Sequence, residues 1–162
     1  MSEEPEIIDA PDIVDAPELE DAPEPLSLYD LCETDVEAEE NGRWFKDIFG
    51  DGSDINVKLR RFTSKASIDV RRRLEKQYKP KQNSRGEYSE EVGTQILCDQ
   101  VAGAIIVDWE NVRGRDRQLL PFTYANARKL LMDLRVFRET VVIMSNAMDN
   151  FRLEQSEDAE KN

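Results

Sequence analysis

The sequence predicts an α+β fold: an N-terminal β-hairpin followed by about four helices, preceded by a disordered acidic arm. Three observations predict it. Apolar and polar residues alternate after a glycine-rich turn near residue 50, the pattern of a half-buried strand. From residue 65 onward, apolar residues recur every three or four positions, which gathers them on single helical faces. The first forty residues hold 16 acids and no lysine or arginine. Charge of one sign at that density opposes compaction.

Residues 1–41 form the expected arm. Asp-Ala-Pro recurs at 9–11, 15–17 and 21–23. A proline every six residues blocks a continuous helix and removes sheet donors. Residues 1–25 therefore read as disordered, with polyproline character. The plain reading is a solubilising tail. A sharper one rests on the aliphatic pairs Ile7-Ile8 and Ile13-Val14, which a purely solvating tail does not need. They are candidate anchors for a partner's groove. Residues 26–40 can include a short helix.

A small domain is expected over 42–152, with a polar frayed tail at 153–162. Arg43 to Phe49 supplies bulk for a first strand, and Gly50-Asp51-Gly52-Ser53 is a turn signal. Ile55, Val57 and Leu59 then face one side, with Asn56, Lys58 and Arg60 on the other. Together they predict a hairpin over 43–62. Thr63 or Ser64 caps a helix over 65–79, with Ala66, Val70, Leu74 and Tyr78 as its apolar stripe. Lys79-Pro80 ends it. Ser89 followed by Glu90-Glu91 starts the next helix. Val92, Ile96, Leu97, Val101, Ala104 and Ile105 recur along it and mark it as the central helix of the core. After the charged loop 113–118, Thr123 caps a helix bearing Ala127, Leu130, Leu131 and Leu134. A last helix, 136–152, carries Phe137, Val141, Met144, Met148 and Phe151.

Composition narrows function. The chain has 162 residues, net charge −13, two cysteines and no histidine. Histidine-based nucleophile activation is thus excluded within this chain, and a zinc site would need mainly carboxylates. Cys32 and Cys98 lie far apart, which suits a reducing compartment. No apolar run approaches the ~20 residues that span a bilayer, so no membrane contact is expected. Asp108 and Glu110 are the best carboxylate pair beside an aromatic. On a helix they would diverge; on a strand they would share a face without a nearby base. No P-loop, GxGxxG, HExxH or GxSxG occurs. The chain is expected not to be an enzyme and to need no cofactor or metal. Residues 56–85 hold 11 bases against two acids, the sign of a nucleic-acid footprint. A basic-surface nucleic-acid binder gated by its own arm is therefore the alternative reading.

Further along, Val107-Asp108-Trp109-Glu110-Asn111-Val112, a polar loop, Leu120-Pro121-Phe122-Thr123, Asn126-Ala127 and Leu130-Leu131 follow one another. Over about residues 43–152 this series resembles the tail assembly chaperones of long-tailed bacteriophages, many of which also end on an aromatic such as Phe151. Tyr124 and Ala125 stand where that family often has proline and glutamate. The resemblance implies a non-enzymatic protein that binds the phage tape-measure protein and assists tail-tube assembly in the host bacterial cytoplasm, absent from the mature virion. It implies tail-tube subunits as further partners, with self-association another, and leaves nucleic acid as the weaker choice. It points to Trp109, Glu110, Asn111, Pro121, Phe122 and Phe151 as motif or contact residues. Trp109 is expected to plug a helix–loop junction against Phe122, with Asp108 and Glu110 outside.

Overall fold

The computed structural model describes residues 22–154, together with Glu3 and Pro5. The arm anchors Ile7, Ile8, Ile13 and Val14, and the polar tail past residue 154, lie outside the described residues. The chain divides into a first unit, residues 1–31, and a second, residues 32–162. Ser27 opens the five-residue helix α1 (Leu28–Cys32), all but the last residue of which belongs to the first unit. The Ser27 hydroxyl donates to Asp30 at 2.7 Å and accepts from the Asp30 N–H at 3.1 Å, a reciprocal cap.

The second unit opens with a helix drawn from residues expected in the arm. In α2 (Val36–Asn41), Asp35 is the N-cap and accepts from the Ala38 N–H at 3.0 Å. Its acids find partners in the hairpin that follows. Glu39 pairs with Arg61, and Asp35 with Arg43 at 3.3 Å. Glu40 accepts the Lys65 N–H at 3.0 Å, where the next helix starts. Arg43 also donates to the carbonyls of Asn150 and Arg152, both at 3.0 Å, tying this segment to the far end of the chain.

The expected layout of a hairpin followed by about four helices is corrected by the sheet. It has three antiparallel strands in the order β1 (Arg43–Phe45), β2 (Asn56–Leu59) and β3 (Ile106–Glu110). The third strand comes after two helices, and β2 lies at the centre. The residues from Val101 to Val107, read from sequence as part of a central helix, are not α-helical. A π-turn, Val101–Ile105, ends the helix and passes straight into β3. The β-branched run Ile105-Ile106-Val107 favours this extended path. A bulge hid the strand. Lys58 pairs with Asp108 and Leu59 with Ile106, so Val107 is an extra residue. Parity is reset there, and Ile106 and Trp109 both turn inward despite their odd spacing.

Gly42 makes the close approach possible where α2 meets the sheet. Its φ is +93°, and a Cβ there would lie 3.0 Å from Val107 Cγ2. At the other end of β1, the Asp47 carboxylate accepts the N–H groups of Asp51 and Gly52 and closes the loop.

Among the described residues there are six α-helices. The basic helix α3 (Lys65–Tyr78) is capped by Ser64, α4 (Glu90–Gln100) by Ser89 and α5 (Tyr124–Asp133) by Thr123. Each cap accepts a backbone N–H of the first turn, the hydrogen bond that serine and threonine supply best at this position. The last long helix, α6 (Arg135–Asn146), stops earlier than expected, and a 3-10 turn, Met148–Phe151, follows. One core joins sheet and helices. Val57, Leu59, Ile106 and Trp109 pack with Cys98, Val101 and Ile105, with Ala127 and Leu131 of α5, and with Phe137 and Val141 of α6.

Candidate partner-binding site

The structure splits the sequence-predicted motif residues between two places. Trp109 sits on β3 and is 6% exposed. Its indole N–H donates to the Leu120 carbonyl at 2.8 Å. Its ring meets Phe122 edge-on, with centroids 5.2 Å apart and planes at 83°. The loop between them is drawn closed by the Leu120 N–H, which donates to Val112 at 2.9 Å. Asn126 holds the Pro121 carbonyl at 3.0 Å, which fixes the approach to α5. Asp108 and Glu110 flank the ring on the solvent side of the sheet. There Asp108 lies opposite Lys58, and Glu110 accepts from Asn56 at 3.0 Å. Asn111, at positive φ, donates to the Asp54 carbonyl at 2.9 Å and binds the two loops together. Phe151 lies apart from this group. It is fully buried and packs edge-on against Phe45 at 5.8 Å. Trp109, Pro121 and Phe122 thus form one packed joint, and Phe151 forms a second.

A buried polar node holds the helices behind that joint. Asp99 on α4 is 5% exposed. It accepts from the Tyr78 hydroxyl at 2.6 Å, from the Tyr124 hydroxyl at 3.0 Å and from the Arg128 guanidinium. One carboxylate therefore ties α3, α4 and α5. Sharing a hydrogen bond with that carboxylate raises the Tyr78 pKa above the ordinary tyrosine value. Burial, then the same carboxylate, raises that of Tyr124. The neighbouring Gln100 amide donates to the Ser67 hydroxyl at 2.8 Å, a second buried tie to α3. Cys98 is fully buried, and burial pushes its thiol up, away from the reactive thiolate.

On the outer side of α4 the apolar surface is open. A groove of about 410 Å³ runs between α4 and α6. It is lined by Leu97, Val142 and Ile143 together with the charged Glu90, Arg135, Arg138 and Glu139. Ile143 is 68% exposed, and Val136, one heptad earlier on α6, is 67% exposed. Residues seven apart on a helix lie on one face, so α6 carries two apolar stripes. Phe137, Val141 and Ser145 face the core, while Val136 and Ile143 face solvent. The second stripe was present in the sequence, masked by its overlap with the first. Among the described residues, no group of three or more cysteine, aspartate or glutamate side chains could hold a metal ion. No described helix is long and apolar enough to cross a membrane.

A family model described as YdaY prophage protein matches residues 62–162, more than half of the chain. The chain belongs to the YdaY prophage protein family. It is thus a phage-derived protein. The YdaY match takes in α3 to α6, β3, the Trp109 joint and the α4–α6 groove, and it begins after the hairpin and the acidic N-terminal stretch. No curated protein and no solved structure matches the chain.

Proposed function

We propose that this YdaY-family protein is a non-enzymatic tail assembly chaperone that holds the phage tape-measure protein while tail-tube subunits polymerise. The observation that carries the reading is the open groove between α4 and α6, with Leu97, Val142 and Ile143 in its lining. Ile143 lines the groove, and Val136, one heptad earlier on α6, extends the exposed apolar surface beyond it. A groove that sets apolar side chains among charged ones fits an amphipathic helix. A long helical tape-measure protein offers such helices repeatedly. The prophage family and the packing of the chaperone-like phrase as one joint support the same reading. Net charge −13 keeps the loaded complexes apart. The working compartment is then the host cytoplasm.

The test is co-expression with the tape-measure protein of the same prophage. The wild-type chain is expected to keep that protein in the soluble fraction. A chain with Val136→Asp and Ile143→Asp, both on the exposed stripe, is expected to fold normally and lose the effect. Equal precipitation with and without the wild-type chain would remove the proposal.

A further inference from the structure

The α3 surface carries a second feature that the groove does not use. Two adjoining hollows share Arg72 and Glu75. The first, about 330 Å³, lies beside Phe62 and Ile68, the latter 42% exposed. The second, about 460 Å³, is lined by Lys76, Lys79 and Tyr88. A hollow with Phe62 and Ile68 among polar side chains thus opens directly into a basic one. Arg71 and Arg72 reach acids on their own helix, Glu75 and Asp69. Arg73, Lys76 and Lys79 form no ion pair among the described residues. On a chain of net charge −13, this is a concentrated positive face.

The sequence spells a ligand of the matching pattern. Each of the first two Asp-Ala-Pro repeats places an aliphatic pair directly before its acids: Ile7-Ile8 then Asp9 and Asp12, Ile13-Val14 then Asp15 and Glu18. An aliphatic pair suits the hollow at Phe62 and Ile68. The acids that follow suit Lys76 and Lys79. We propose that the α3 face receives residues 7–18 of a second copy of this chain.

Charge complementarity selects this occupant. Residues 1–25 hold ten acids and no lysine or arginine, and residues 56–85 hold 11 bases against two acids. Each of these regions complements the other region on a neighbouring molecule. The contact therefore joins two different surfaces, and it either closes as a reciprocal exchange of arms or continues head to tail. A nucleic acid fits less well. It brings no aliphatic side chain to Phe62 and Ile68, and the rest of the chain repels a polyanion. The proposal is independent of the groove and of what fills it.

The experiment is sedimentation velocity on the full chain across a concentration series. At ~50 mM salt the mean mass is expected to rise with concentration. At ~0.5 M salt it is expected to return to the monomer, because screening shortens the reach of charge. Lys76→Glu with Lys79→Glu, both at exposed positions, is expected to abolish the rise with an unchanged circular dichroism spectrum. Adding Asp9→Lys and Asp12→Lys to that variant is expected to restore it. A wild-type chain that stays monomeric throughout, or self-association untouched by the α3 reversal, would overturn the proposal. So would an oligonucleotide that binds α3 in place of a second copy.

Discussion

Trp109 is the residue whose removal tests the packing argument most directly. The indole is almost fully buried, donates one hydrogen bond of 2.8 Å and pairs edge-on with Phe122. Truncation to alanine empties the space of a large ring, which costs about 3–5 kcal/mol. The stranded Leu120 carbonyl is worth about 1–3 kcal/mol when left unpaired. The aromatic pair is worth about 0.5–1.5 kcal/mol. These terms overlap within the truncation and do not add to it. A small domain is stable by only about 5–15 kcal/mol, so Trp109→Ala brings the fold near its margin. Urea unfolding followed by far-ultraviolet circular dichroism measures the loss, as a shift of midpoint at constant slope. Trp109→Phe separates the parts: an aromatic ring is kept, the hydrogen bond is lost, and the expected cost falls to about 1–3 kcal/mol. A loss under about 0.5 kcal/mol for Trp109→Ala, the size of an ordinary surface change, would refute the joint and return the ring to the surface.

Two further predictions concern the polar node. Asp99→Ala leaves two tyrosine hydroxyls and a guanidinium without their shared acceptor. Because Arg128 can turn partly to solvent, the expected cost is about 3 kcal/mol, the low end for breaking a buried pair, read by the same urea titration. The node also makes the fold alkali-sensitive. Tyr78 and Tyr124 have raised pKa values in the fold, so their contribution is fully present below the unfolded tyrosine value near 10 and is lost as pH rises through the folded values. Stability measured from about pH 9 to 12 is expected to fall, and Tyr78→Phe to flatten the fall. An identical slope in wild type and variant would exclude Tyr78 as its source.

The helices with strong local signals were legible. Ser64, Ser89 and Thr123 each stand where a cap is needed, and each opens a helix. The turn at Gly50 to Ser53 and the alternation through Val57 and Leu59 led to β2. The Trp109–Phe122 contact, with the acids outside, was expected at the end of a helix; the contact is present, but Trp109 sits on β3. What was hidden depended on non-local partners. Half of the six residues of α2 are acidic, and the segment looks unfit for folding until Arg43 and Arg61 arrive to pair with its cap Asp35 and with Glu39. The third strand was hidden because Val101, Ala104 and Ile105 repeat at helical spacing, and because the Val107 bulge breaks the strand's alternation. The Asp99 node joins residues from three helices, and no local pattern announces it. In α6 the solvent-facing stripe could be told from the core stripe only once Phe137 and Val141 were seen to be buried.

The placement of β3 has a consequence for the order in which the protein can be made. The central strand β2 ends at Leu59, and its second partner ends at Glu110. A nascent chain that has cleared the ribosome only as far as α3 presents β2 with one side paired and the other open. The hairpin can form early, because its contacts are local, but the sheet closes only after α4 and the π-turn have been synthesised. Long-range pairing of this kind is slow to form, and an open strand edge is a site for pairing with the wrong chain. The interval between Leu59 and Glu110 is therefore the stretch of translation over which this protein is most exposed to misassembly.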